Sequence, residues 1–395
     1  MKHKFQVIIS NKKIIISIYF LLAILAGTQA LVGTKVYRSE EGQVSMYNNY
    51  EIFARSFDHL VNGQDLYKAY PKEHWDLFKY TPTFSALFGV LSILPDWIGL
   101  NLWNLLNVLV LAFAIYFLPK LNNYQKGILL LIILLELLTS VQNEQSNGLI
   151  AGLIIMAFGL LERNKNFWAT LMIVLSVSIK LFGIVGFALF LLYPKKGKSI
   201  LYTLFWLIIL GAIPLLFIDF EQYTALYQSY FNLLSNDHDA SYGYSVMGII
   251  HSWFSVEINK NMIVGIGAVL FLIPFLQIKK YKDYMFRILA LASVLLWIII
   301  FNHKAESPTF IIAMSGVAIW FMMSKKNAIN TGLFALAFIL TSLSPTEFFP
   351  KSIRNEFVRP YCLKALPCVL IWIKVIYDMI GLKVGIHNSP PKETL

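Results

Sequence analysis

The 395-residue chain is 57% hydrophobic and only 14% charged, against about 45–50% apolar and about 25% charged residues in an ordinary globular chain. That balance excludes a disordered tail, a collagen-like or coiled-coil rod and a soluble enzyme, and two cysteines, Cys362 and Cys368, cannot build a disulfide framework. The net charge of +11 sits on lysines between apolar runs, which is how a polytopic membrane protein is oriented, and not on a nucleic-acid-binding face.

The run from Ile14 to Val32 is predicted to be the first span, an uncleaved anchor with Lys2, Lys4, Lys12 and Lys13 holding the N-terminus in the cytoplasm. Short basic clusters recur at Lys120 and Lys126, Arg163 and Lys165, Lys195 to Lys198, Lys279 to Lys282, and Lys325 with Lys326. With these facing the cytoplasm, the opposite side receives a first outer loop (33–80), the turn Gln142 to Gly148, a second large outer loop (219–259), the turn Asn302 to Ser307, and Ser344 to Lys364. Pro95 and Asp96 split Thr81 to Leu118, so one piece is predicted to be re-entrant. Phe167 to Tyr193 lies between two basic loops, too short for two full spans, and reads as a hairpin of short helices meeting near Lys180. The expectation is an all-α polytopic membrane protein of about 12 membrane segments, a single domain over 1–395 without an internal repeat. It is placed in the plasma (inner) membrane with both termini cytoplasmic.

In the first outer loop, Ile52, Phe53, Ser56, Phe57 and Leu60 recur at helical spacing, with Glu51, Arg55, Asp58 and Asn62 opposite. This predicts an amphipathic interfacial helix, capped by Asn48 or Asn49 and ended by Gly63. Asp65, Tyr67, Tyr70, His74, Trp75, Asp76, Lys79 and Tyr80 follow. Such a segment serves either as an aromatic belt or as a surface for a sugar and its phosphate.

Gln142, Asn143, Glu144, Gln145 and Asn147 form a polar turn, suited to helix packing or to hydroxyl recognition. Lys180, in VLSVSIKLFGIVGF, is costly in so apolar a stretch; its partner is either Glu136, another acid in an apolar run, or an anionic lipid phosphate. His303 and Lys304, in NHKAESPTF, suit a phosphate better than a metal, since one histidine and one acid are too few ligands. Asp237, His238 and Asp239 read as a solvated turn, and the two cysteines as spectators. No nucleotide-binding glycine loop or nucleophile elbow is present.

Taken in order, GQDLY, FKYTPTF, SILPDWIGLNLWNLLN, QNEQSNGL, SVSIKLFG and HKAESPTF resemble the polytopic GT-C glycosyltransferases of family 87, over about Asn48 to Phe310. The resemblance implies a GT-C-like bundle and an inverting hexosyltransferase. Its donor would be a polyprenyl-phosphate-linked sugar, with mannose as one member of the class, used on the extracytoplasmic face. Membrane lipids, the donor and a glycolipid or glycan acceptor would be its partners, with no cofactor, no metal and no nucleic acid. It matches Gln145 and Asn147 to the family's amide turn, Lys180 to its lysine, and Ser307 with Pro308 to its late Ser-Pro. The family's general-base aspartate falls on Asn49, whose amide does not usefully accept a proton. Asp76, Asp65 and Glu51 are the substitutes within the same loop. Lys180, His303 and Lys304 would then contact the donor phosphate, and Gln145, Asn147, Tyr67 and Trp75 the sugars. The same membrane density and intramembrane lysine also suit a transporter or a lipid-linked saccharide flippase, or an inactive scaffold.

Overall fold

The structure is a computed structural model that describes residues 2–33, 37–39, 42–237 and 241–383. His238 and Asp239 lie outside the described residues.

Helix α1 (Lys2–Ser10) precedes α2 (Lys12–Val32), whose 21 residues reach about 32 Å, enough for a hydrocarbon core of about 30 Å. The Asn11 side chain accepts from Lys13 N at 3.0 Å and caps α2. The basic N-terminal segment is therefore helical and packs against α6 (Asn123–Val141). A small antiparallel hairpin, β1 (Tyr37–Ser39) with β2 (Gly42–Val44), leads into α3 (Asn48–Val61). This is the expected amphipathic helix: Tyr50, Phe53 and Leu60 are buried, Arg55 and Asp58 exposed. Tyr47 stands at the N-cap in place of Asn48 or Asn49, with no side-chain cap, and Gly63, at φ 72°, follows the helix end.

Phe53 anchors α3 edge-on to Tyr80, Phe84, Phe88 and Trp103, with ring centroids between 4.8 and 5.7 Å. Phe84 and Phe88 belong to α4 (Pro82–Ser92), capped by Thr81. Its 11 residues reach about 16 Å, half a membrane. After Pro95, α5 (Asp96–Phe117) begins beside α3 again: the Tyr47 hydroxyl donates to Asp96 Oδ2 at 3.2 Å. A Cβ on Gly99 would lie 2.0 Å from the Tyr50 hydroxyl oxygen, so only glycine lets α3 sit there. Of the two pieces split by Pro95 and Asp96, the one between Thr81 and Pro95 is the shorter, and only α5 is long enough to span a hydrocarbon core by itself. Helix α7 (Asn147–Leu161) packs against α5 through Gly152, where a Cβ would come 2.8 Å from Leu111 N, the close small-residue approach common between membrane helices.

Helix α8 (Asn166–Ile179) ends at Lys180, which is extended (φ −136°, ψ 130°), and a 3₁₀ segment follows over Leu181–Leu192. A 3₁₀ helix rises about 2.0 Å per residue, so these 12 residues reach about 24 Å, beside about 21 Å for α8. Stretching the return leg is how so short a hairpin covers the distance.

The chain continues through α9 (Lys196–Ala212), α10 (Phe220–Asp237), α11 (Val246–Phe254), α12 (Lys260–Leu272), α13 (Tyr284–Ile300), α14 (Phe310–Met323), α15 (Ala328–Ala337), the single turn α16 (Lys351–Ile353) and α17 (Leu366–Gly381). The second outer loop therefore carries a helix, α10, that apolar runs alone do not reveal. Among the described residues, four helices are long and apolar enough to cross a membrane, Lys12–Val32, Asp96–Phe117, Asn123–Val141 and Lys196–Leu216, and several shorter apolar helices pack with them. The protein is a multi-pass membrane protein, and among the described residues its regular structure is helical apart from the β1–β2 hairpin.

The bundle has two chemically distinct ends. At the basic end, Arg287 grips Glu162 with Nε–Oε1 2.5 Å and Nη2–Oε2 2.9 Å, the Tyr284 hydroxyl donates to Pro119 O, and Lys12 lies over the Tyr116 ring. At the amide end, Tyr244 N donates to Ala305 O at 2.8 Å and Asn49 Nδ2 to Asn143 O at 2.8 Å. Among the described residues, one ion pair has both side chains almost fully buried: Lys364 Nζ donates to Glu136 Oε1 at 2.7 Å and to Thr341 O at 2.8 Å. Thr341 lies in a π-helical stretch, Phe338–Leu343. Glu136 is consequently the counter-charge of Lys364 and not of Lys180.

Candidate active site

The break between α8 and the 3₁₀ segment delivers the half-buried Lys180 to the α6–α7 turn. Its ammonium donates to Gln145 Oε1 at 3.0 Å and Asn147 Oδ1 at 3.4 Å, and faces the rings of Tyr80 at 5.2 Å and Phe182 at 5.8 Å. Among the described residues no carboxylate pairs with it, so its charge meets only amide oxygens and ring faces.

The turn is braced on several sides. Asn49 Nδ2 holds Asn143 O, Trp103 Nε1 donates to Glu144 O at 2.7 Å, and Gln145 N donates to Ser140 O at 3.1 Å. Asn147 is fully buried and its Nδ2 donates to Pro308 O at 3.1 Å, which joins the turn to the Ser307–Thr309 segment. Thr81 bonds Ser178 O, tying the start of α4 to the end of α8. The amide turn, Lys180 and the Ser-Pro segment, separate in sequence, therefore form one contiguous cluster.

His303 and Lys304 lie half-buried on the turn before Ser307. His303 O accepts from Ser241 Oγ at 3.0 Å, and Lys304 N donates to Asn302 Oδ1 at 2.9 Å. Trp75 is exposed, and its backbone N–H donates to Asn48 Oδ1 at 3.0 Å. Tyr67 is only 7% exposed, and its hydroxyl is committed to Tyr80 O at 3.0 Å, so it braces the tyrosine beneath Lys180.

The three outer-loop carboxylates are each engaged elsewhere. Asp76 pairs with Lys79 at 3.2 Å. Asp65 accepts from Tyr67 N at 3.0 Å and from Ser229 Oγ at 3.1 Å. Glu51 pairs with Arg55 at 3.2 Å and lines a separate cavity of about 600 Å³ with Arg55, Asp58, His59, Lys72 and Glu73. None of the residues around Lys180 lines that cavity. Among the described residues, no three His, Cys, Asp or Glu side chains gather as metal ligands.

Sequence reasoning passed over Glu144, which it grouped with its amide neighbours. Glu144 is 2% exposed, and its Oε1 has no hydrogen-bond partner in the protein. Its backbone is left-handed, at φ 48°. Burial alone pushes its carboxyl well above the usual range. The available signal was that it is the sole acid in QNEQSNG.

No curated protein sequence matches the chain. Among solved structures, the crystal structure of ArnT from Cupriavidus metallidurans bound to undecaprenyl phosphate aligns with a TM-score of 0.40 and 11% identity. That alignment covers 93% of this chain and 77% of that one. Residues 78–324 match the family model of glycosyltransferase family 87. They run from the end of the first outer loop through the amide turn, Lys180 and the Ser-Pro segment to the end of α14, more than half of the chain, and on that match the protein belongs to glycosyltransferase family 87.

Proposed function

We propose that this glycosyltransferase moves a hexose from a polyprenyl-phosphate donor to a lipid or glycan acceptor, inverting the anomeric centre. The amide end would be extracytoplasmic and the basic end, with both termini, cytoplasmic, in a GT-C-like bundle of about 12 segments in the plasma membrane. The observation that carries this reading is Lys180, an ammonium with neutral neighbours only, held by Gln145 and Asn147 at a helix break. Leu181 and Ile184 beyond it are exposed, which suits a donor whose polyprenyl chain approaches from the bilayer.

In this mechanism the acceptor oxygen attacks the anomeric carbon as the bond to the phosphate oxygen breaks. Lys180 neutralises the charge growing on the departing phosphate; a preorganised cation in a water-poor site is effective at this. His303 and Lys304, on the turn leading to Ser307, supply further donors for the phosphate, while Gln145, Asn147 and Trp75 orient sugar hydroxyls and rings. A carboxylate takes the acceptor proton, and the prior engagements of Asp76, Asp65 and Glu51 weigh against each of them. A transporter is disfavoured because its binding groups would gather near the midplane, whereas here Lys180 meets the amide turn that joins α6 to α7, and Asn147 ties that turn to the Ser307–Thr309 segment.

The test is turnover of undecaprenyl-phosphate mannose and undecaprenyl-phosphate glucose by purified protein in nanodiscs, with a membrane lipid extract as acceptor. Release of undecaprenyl phosphate with a new glycolipid is expected. Consumption of neither donor overturns the reading.

A further inference from the structure

We propose that Glu144 is the carboxylate that takes the proton from the attacking acceptor hydroxyl. This rests on the transfer reaction above and names its base. Three observations converge on this residue. First, its side chain is buried yet makes no ion pair, and Oε1 has no partner in the protein. The contrast with Glu136 is direct: that carboxylate, equally deep, is neutralised by Lys364 at 2.7 Å. Burying a carboxyl without partners is unfavourable, and nothing in the packing of Glu144 offsets it.

Second, Glu144 occupies a left-handed conformation, φ 48°, that glycine adopts freely and a long side chain does not. Two separate costs, backbone and burial, fall on one residue. Such strain persists where the surroundings over-determine it and clusters at functional sites. Here the surroundings do so: Trp103 holds its carbonyl, Asn49 holds the carbonyl before it, and Ser140 O accepts the N–H after it.

Third, the next residue, Gln145, is the one that meets Lys180. One turn thus carries the unpartnered carboxylate and, at the next residue in the chain, the amide that touches the cation assigned to the leaving phosphate. In the step itself, the acceptor O–H bond breaks with its proton passing to the Glu144 carboxylate. The acceptor oxygen forms the new bond to the anomeric carbon, and the electron pair of the old bond leaves on the phosphate facing Lys180.

Two variants test this in nanodiscs with the undecaprenyl-phosphate hexoses and lipid extract named above. Glu144→Gln keeps shape and backbone but cannot take up the proton; turnover should fall at least about a hundredfold, with donor binding within about twofold of wild type. Glu144→Gly removes the strain and the buried carboxyl together; it should melt at a higher temperature than wild type and be equally inactive. A residue retained only for structure predicts the reverse, full turnover in the glycine variant. If either variant keeps turnover within about fivefold of an active wild type, the assignment of Glu144 is wrong and the glycosyltransferase reading stands. If wild type consumes no polyprenyl-phosphate hexose, both fall together.

Discussion

Lys180 Nζ lies 3.0 Å from Gln145 Oε1, across the seam between the end of α8 and the α6–α7 turn. An amide oxygen orients an ammonium without cancelling its charge, and an uncancelled charge at such depth is unfavourable until an anion arrives. Lys180→Met should therefore leave the fold at least as stable as wild type while lowering transfer by roughly 10²–10³-fold, the usual loss for one electrostatic stabiliser of a transition state. Melting curves and initial rates on the same preparations decide it. A variant that unfolds earlier but keeps its rate would show that Lys180 is a packing residue.

Lys364 and Glu136 behave in the opposite manner. Both are buried, with side-chain exposures of 3% and 0%, and each neutralises the other. Lys364→Met alone leaves a stranded carboxylate and should cost about 3–5 kcal/mol, whereas adding Glu136→Leu should recover most of that loss. A double-mutant cycle from thermal or denaturant melts in detergent reads the coupling. Additive losses would mean that the pair does not hold the segment before α17 to α6.

Much of this arrangement is written in local pattern, and some is not. The spacing of Ile52, Phe53, Phe57 and Leu60 foretells α3, and the lysine clusters foretell which turns share an end, because both are properties of neighbours along the chain. The hairpin folding at Lys180 was legible as a length deficit between two basic loops, although the 3₁₀ geometry that makes up the distance was not. Pairings across helices are another matter. Lys364 and Glu136 are 228 residues apart, and hydropathy gives no reason to prefer that partner over Lys180. Helix α10 was hidden because its face is aromatic and polar, lying outside the apolar runs. Glu144 escaped notice for a similar reason: its burial and left-handed backbone are set by Trp103 and Asn49, from two other helices.

The outer loop should respond to acid. His59 Nε2 lies 3.0 Å from Glu73 Oε2, stacks on Tyr70 and has Asp58 and Arg55 near it; His74 Nδ1 lies 2.7 Å from Asp76 O. Burial pushes both imidazoles below their ordinary value of 6.5, and Glu73, itself 39% exposed, offsets only part of that for His59. A histidine with a lowered folded pKa contributes stability above its unfolded pKa. As pH falls through about 6.5 the unfolded chain takes up protons first, and that contribution drains away towards the folded pKa. Melting temperature should therefore fall between pH 7.5 and pH 5, with a shallower fall in the His59→Asn/His74→Asn double variant. Equal slopes would place the acid sensitivity in other groups.

Asn49 offers the sharpest separation between a relocated base and a lost one. The family resemblance puts an aspartate at this position, which invites the expectation that Asn49→Asp would raise activity. The structure argues otherwise. Asn49 Nδ2 donates to Asn143 O at 2.8 Å, and a carboxylate there has no proton to give, so two oxygens would face each other at that separation. Losing this solvent-accessible bond and gaining the repulsion should destabilise the turn by about 0.5–1.5 kcal/mol and displace Glu144 and Gln145 with it. Asn49→Asp is expected to melt earlier, to transfer more slowly, and to leave Glu144→Gln inactive when the two are combined. Rescue of Glu144→Gln by Asn49→Asp would show that position 49 still reaches the acceptor hydroxyl, and that the proton can be taken from the helix as well as from the turn.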